Sequence, residues 1–303
     1  MTPLDPPPAR PVAGILWMLL TGLCFVGMTA LVKFLGPRVP APEAAFLRYA
    51  LGLVFLLPVL RPIFNTRFTR RRIGLFAARG ILHAGGVMLW FYAMTQIPLA
   101  ELTALNYLSP VFVTIGAAVF LGEQLAIRRI AAITVALIGA IIILRPGFRE
   151  VAPGHLAMIG TATVFGGSFL LAKVLADDVP PAVVVSMLSI WVTAGLAPFA
   201  LAVWVTPTLH ELTMLFAVAC FATAGHFTMT LALRAAPIMV TQPVTFLQLV
   251  WAMALGVVVF GETLDIWVIL GAALILVAIS FITWREAVVR RRSVTPTTPA
   301  TKV

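Results

Sequence analysis

Charge is what this chain has least of. Asp, Glu, Lys and Arg make up 11% of its 303 residues, and 61% of the residues are hydrophobic. Water-soluble domains carry about a quarter charged residues and about half apolar ones, so a soluble fold is excluded. Histidine is equally sparse, with four residues, each isolated in sequence and none in the spacing that holds a catalytic metal. No glycine-rich phosphate loop and no serine nucleophile elbow occur, so neither ATP-driven chemistry nor acyl transfer has a foothold. Cysteine is limited to Cys24 and Cys220, both inside apolar runs, where they serve as small hydrophobes rather than a disulfide. No cofactor and no metal are expected.

What is present is a series of apolar runs of bilayer length. Taking about 17–25 residues as one crossing, the spans read Ala13–Phe34, Ala41–Leu60, Ile73–Met94, Leu99–Leu121, Ala126–Leu144, His155–Leu175, Ala182–Val205, Leu212–Leu233, Ile238–Phe260 and Ile266–Trp284. Turn residues punctuate them, including Gly36-Pro37, Pro98, Gly122, Pro146-Gly147, Pro180-Pro181, Pro237 and Gly261. The first run is too long for a signal-peptide core and lacks a cleavage site. The fold class is therefore an all-α polytopic membrane protein. The net charge of +10 does not indicate nucleic acid, because the basic residues gather between spans.

The chain also repeats itself. At a shift of about 140 residues, Met18 falls on Met158, Thr21 on Thr161, Phe25 on Phe165, Gly27 on Gly167 and Lys33 on Lys173. Pro40 falls on Pro180 and Pro58 on Pro198. After the loss of one residue, Pro98 falls on Pro237 and Gly122-Glu123 on Gly261-Glu262. Shared Lys, Pro and Gly-Glu at a nearly constant shift argue for duplication. The organisation is a tail over 1–11, a first repeat over 12–147, a second over 153–286, and a basic then Thr/Pro-rich tail over 287–303. Each repeat holds an odd number of spans, so the second copy is inverted and a substrate site is expected near the midplane. Basic residues crowd the loops on one side (Arg61, Arg67, Arg70 to Arg72, Arg128, Arg129, Arg234 and the C-terminal arginines). That asymmetry places both termini in the cytoplasm.

Polar residues inside spans mark the expected site, since in lipid they face the bundle interior. Arg79, His83 and Trp90 share one stripe of the third span. Arg79 either offers a cationic handle to a carboxylate or phosphate, or bonds backbone carbonyls. Asn106 and Ser109 in the fourth span fall, in the repeat register, on Thr245 and Gln248 in the ninth, as two walls of one site require. Asn106 either binds substrate or holds a neighbouring helix. Thr161 and Ser168 on the sixth span and His226 on the eighth complete the candidates, with Tyr107, Trp17 and Trp251 as possible cavity aromatics. Arg48 is expected in a structural hydrogen-bond cluster or anchored at the outer surface. Glu123 and Glu262 are expected to cap the helices that follow them, with Arg128 a possible partner of Glu123. No acid lies mid-span, so His83 and His226 are the only groups placed to couple transport to protons.

The duplicated five-span unit resembles the EamA-type family of the drug/metabolite transporter superfamily. The residues that carry the resemblance are Ala45-Phe46-Leu47-Arg48-Tyr49, Ile97-Pro98-Leu99-Ala100, Leu108-Ser109-Pro110, Leu121-Gly122-Glu123 and Phe260-Gly261-Glu262. The resemblance implies a carrier of small organic metabolites, with spans one, three, four, six, eight and nine around a central cavity. Transport of an amphiphilic, anionic or zwitterionic metabolite across the inner (plasma) membrane is the expectation. A membrane-embedded enzyme or a non-transporting sensor is the alternative, and it lacks a reactive cluster. The expected partners are a small-molecule substrate and the lipid bilayer, without nucleic acid, and homodimerisation is left open.

Overall fold

The computed structural model describes residues 10–59, 63, 66, 68–122, 126–176, 179, 181–236 and 238–294. Glu123 lies outside them, and with it the expected cap and the pairing with Arg128. The chain termini and several of the loop arginines lie outside them as well. The helices are α1 Pro11–Leu35, α2 Ala41–Gly52, α3 Arg70–Met94, α4 Leu99–Asn106, α5 Ser109–Leu121, α6 Ile127–Leu144, α7 Pro153–Ala176, α8 Pro181–Ala202, α9 Leu209–Ala235, α10 Ile238–Thr245, α11 Leu247–Phe260 and α12 Ile266–Val294. Among the described residues, nine helical stretches are long and apolar enough to cross a bilayer. The second crossing is α2, extended by a 3-10 segment over Leu53–Val59. The fourth is α4 with α5 and the ninth is α10 with α11, each broken midway. This is the expected set of ten, in an all-α architecture.

Local chemistry sets several of the ends. Pro11 opens α1 at a position where its missing N–H costs nothing. The repeat-matched Gly122 and Gly261 end α5 and α11 at φ of 67° and 63°, a left-handed turn that favours glycine. Thr208 and Glu211 form a capping box at the start of α9.

Directions follow from which residues meet. Thr21 of α1 bonds Thr228 of α9 at 2.9 Å, and Gly14 of α1 sits against Ala232 and Ala236 of α9. As α1 advances α9 recedes, so the pair is antiparallel. The same holds for α3 and α7: Gly86 lies against Phe165, and Gly154 against Gln96 and Ile97. Lys33, near the end of α1, donates to the Ile97 carbonyl just after α3 at 3.2 Å, so α1 and α3 finish at the same end. It follows that α7, the repeat counterpart of α1, runs opposite to it. The pairs α1/α9 and α3/α7 are exchanged by swapping the two halves. The two-fold inversion expected from the duplication is thus present in the packing.

Between helices in lipid the hydrophobic effect does little, so close packing over small residues does the work. Gly139 of α6 and Gly271 of α12 meet reciprocally. A Cβ on either would strike the other's carbonyl oxygen well inside contact distance. Gly80 likewise receives Trp191 of α8. The largest apolar cluster, which includes Met28, Phe91, Leu105, Leu108, Met158 and Ile275, joins both halves.

Candidate functional site

The centre of the molecule is where the two broken helices cross. Span four breaks at Tyr107 and Leu108, and span nine at Phe246. In the repeat register Tyr107 falls on Phe246. The prolines Pro110 and Pro243 do not correspond, so the matched breaks do not follow the placement of proline. The Tyr107 and Phe246 rings meet edge to face with centroids 5.9 Å apart. The Tyr107 hydroxyl donates to the Thr245 carbonyl at the break at 3.0 Å. Two equivalent residues in contact place this point on the axis that relates the halves.

Around it stand several of the expected residues. Asn106 ends α4, with its buried Oδ1 lacking a protein partner. Ser109 is spent locally, donating to the Asn106 carbonyl at 2.9 Å. Gln248 lies in the first turn of α11, half-buried beside Gly22 of α1. Thr245 contributes its carbonyl to Tyr107, as above. The matched breaks therefore gather Asn106, Tyr107, Thr245 and Gln248 from two helices.

A second group surrounds His83. Its Nε2 meets the Tyr49 hydroxyl at 3.2 Å and its Nδ1 meets the Ser168 hydroxyl at 3.2 Å. The imidazole stacks on Phe165 with centroids 4.6 Å apart and an interplanar angle of 24°. Trp90 packs edge to face on Phe165, with its buried Nε1 unpartnered. Arg48, at 8% exposure, lays its guanidinium over the Tyr49 ring, 4.0 Å from the centroid. His226 of α9 is exposed at its surface and packs on Phe25 of α1, 5.2 Å between centroids. It nonetheless lies within electrostatic reach of Arg48 and His83.

Other expectations are relocated. Arg79 donates to the Val184 carbonyl of α8 at 3.0 Å, with its Nε unpartnered, so it stands at the α3–α8 seam. Thr161 bonds its own helix and the Gly86 carbonyl, and so joins α7 to α3. Trp17 and Trp251 are about two-fifths exposed, at 38% and 39%. Of the two readings of Arg48, the hydrogen-bond cluster is not formed among the described residues, and the side chain rests on Tyr49 instead.

Glu262 is a further correction. It does not cap the helix that follows, which Asp265 caps through the Trp267 N–H at 2.9 Å. Glu262 instead reaches the other half. It accepts the Leu99 N–H at the start of α4 at 2.9 Å and pairs with Lys33. Three more ion pairs stand at the same end of the bundle. Arg38 pairs with Glu211, Arg145 with Asp265, and Arg149 with Glu101, which also meets His155. The hydrogen bond to Glu211 is the main cause that raises the Arg38 pKa. His155, isolated in sequence, is therefore partnered in space. The Lys33 and Glu262 pairing left a trace in the sequence, since both positions keep their charge in both repeats. The Glu101, Arg149 and His155 cluster left none.

Among the described residues no group of three His, Cys, Asp or Glu could hold a metal. A riboflavin transporter of Rhizobium johnstonii is 31% identical over 94% of this chain and 95% of its own length. An S-adenosylmethionine uptake transporter of Rickettsia prowazekii is 29% identical over 90% and 94%. A pseudopaline exporter of Pseudomonas aeruginosa is 28% identical over 88% and 94%. A solved crystal structure shares the fold with a TM-score of 0.54 at 19% identity, covering 94% of this chain and 98% of that one. Relatives that carry small metabolites, and no enzyme among these three, fit a multi-pass transporter. The family model described as the EamA-like transporter family matches residues 12–145 and again 152–284, so the chain belongs to that family.

Proposed function

We propose that the chain is a secondary carrier that moves a small amphiphilic metabolite, anionic or zwitterionic, across the cytoplasmic membrane by alternating access. The repeats over 12–147 and 153–286 are the moving units, and both termini face the cytoplasm. The end bearing Lys33 and Glu262 then faces outward. The observation that supports this reading is the crossing of two helices broken at equivalent residues. A break at membrane depth is tolerated only where it is buried in protein or lines a cavity, and an inverted pair of such breaks is the plan of a midplane carrier. The proposed contacts to substrate are Asn106, Thr245 and Gln248 at the breaks, with His83, Trp90, Ser168 and His226 around them. Arg79, Ser109 and Thr161 position the helices.

Purified protein in liposomes, offered riboflavin and S-adenosylmethionine in turn as labelled probes, tests this. Saturable uptake is expected, and Asn106→Ala with Gln248→Ala should lower its kcat/KM by about tenfold or more. Flux that never saturates, or that the double variant leaves unchanged, refutes the reading.

A further inference from the structure

Arg48 is a buried cation without an acidic partner. A guanidinium carries its charge at any working pH and presents five donors. Taking it out of water is expensive unless charge or hydrogen bonds compensate. Arg48 is 8% exposed and touches the Tyr49 ring face, yet among the described residues it has no hydrogen bond and no ion pair. The nearest acid on its own helix, Glu43, is five residues away, which turns it to another face. One of its carboxylate oxygens accepts the Val205 N–H at 2.8 Å, and the other is buried without a hydrogen bond. Glu211, on the neighbouring α9, is taken by Arg38.

The surroundings add to the imbalance. Arg48 touches Tyr49, and His83 and His226 lie within its electrostatic reach. Ser168 and Phe165 contact His83 in turn. None of these five is acidic, and together they bring a cation, two imidazoles and aromatic faces into one neighbourhood. The contact with the Tyr49 ring face restrains the guanidinium.

We propose that the Arg48 guanidinium, held against the Tyr49 ring, anchors a carboxylate or phosphate group of the transported metabolite, while Phe165 and Trp90 flank a planar part of it. This rests on the carrier reading of the same site and deepens it. Bidentate hydrogen bonds from arginine suit both anions, and the ligand supplies the charge that the protein omits. Arg79 does not compete for the role, because the Val184 carbonyl already holds it.

The test uses matched probes that differ by one charge: flavin mononucleotide against riboflavin, nicotinate against nicotinamide, and phenylacetate against phenylacetamide. Binding to the detergent-purified protein is read by thermal shift and by tryptophan fluorescence. In at least one pair the anionic member should bind about tenfold more tightly, the scale of one charge-assisted hydrogen bond. Arg48→Gln should bring the two members within about twofold, and Arg48→Lys should keep part of the preference. Both variants are first checked for native size and helicity, and Arg48→Lys alone decides if Arg48→Gln does not fold. The proposal is overturned if no anion is preferred, if the preference survives in Arg48→Gln, or if Arg79→Gln abolishes it while Arg48→Gln does not. Saturable transport of the neutral members without any anion preference would remove Arg48 from the site and leave the carrier reading standing. Absence of saturable transport of any probe would remove the carrier reading itself.

Discussion

The ion pair between Lys33 and Glu262 closes one end of the bundle, and its removal should open that end. Glu262 does two things across the halves: it neutralises Lys33 and it accepts the Leu99 N–H that begins α4. Glu262→Gln keeps an oxygen for the N–H and deletes the charge. The two side chains are only 19% and 12% exposed, so the pair is not a surface bridge of negligible worth. Losing one partner of such a pair costs about 1.5–3 kcal/mol, weighted towards the upper end by the cation left unpaired. At about 1.4 kcal/mol per tenfold, the population open at that end rises about 10- to 100-fold. Gly22 offers a reporter. It lies beside Gln248, and a side chain there would meet it at an ordinary 3.7 Å. It is eleven residues before Lys33 on α1, about 16 Å deeper along the helix. In a Cys24→Ser, Cys220→Ser background, a Gly22→Cys protein is labelled from outside with a membrane-impermeant maleimide. Labelling should quicken about tenfold or more in Glu262→Gln and in Lys33→Met. The double change to methionine should label more slowly than either single one, because no buried charge is then stranded. Equal rates in all four proteins would refute the view that this pair holds the end shut.

Two further outcomes follow from the packing. Tyr107→Phe deletes one hydrogen bond to a carbonyl at the helix break, so the melting free energy should fall by about 1 kcal/mol with the fold intact, as read by thermal denaturation in detergent. Gly271→Ala places a methyl group against the Gly139 carbonyl, which should cost about 1–3 kcal/mol and lower both yield and melting temperature, while Gly52→Ala, in open space, should do neither.

Spans, duplication and inversion were legible because they depend on composition and order alone. Apolar runs of bilayer length and the Lys33/Lys173 and Gly122-Glu123/Gly261-Glu262 matches need no knowledge of packing. Asn106 and Gln248 stood out in the sequence too, since they are costly in lipid wherever they point. Partners were not. Glu262 borders α12 in sequence but serves α4, 163 residues away, and helix direction, not local order, brings them together. Glu101 looked like an end-of-span acid, and only the turn after α6 delivers Arg149 to it. Arg48 showed its membership of a span but not its neighbour. Its side chain could reach solvent, a carbonyl or a ring, and tertiary contact decides in favour of Tyr49.

The crossing of Tyr107 and Phe246 carries a consequence for energetics. In the proposed alternating-access cycle the halves would trade conformations while points on the axis stayed where they are, so this contact would serve as an axle. Its two members are not identical. The hydroxyl of Tyr107 reaches the carbonyl of Thr245, whereas Phe246 has no hydroxyl to offer the carbonyl of Asn106 in an exchanged state. One bond of about 1 kcal/mol would then weight the present state over its mirror, roughly fivefold. The resting bias of such a cycle would hang on a single oxygen atom at its still point.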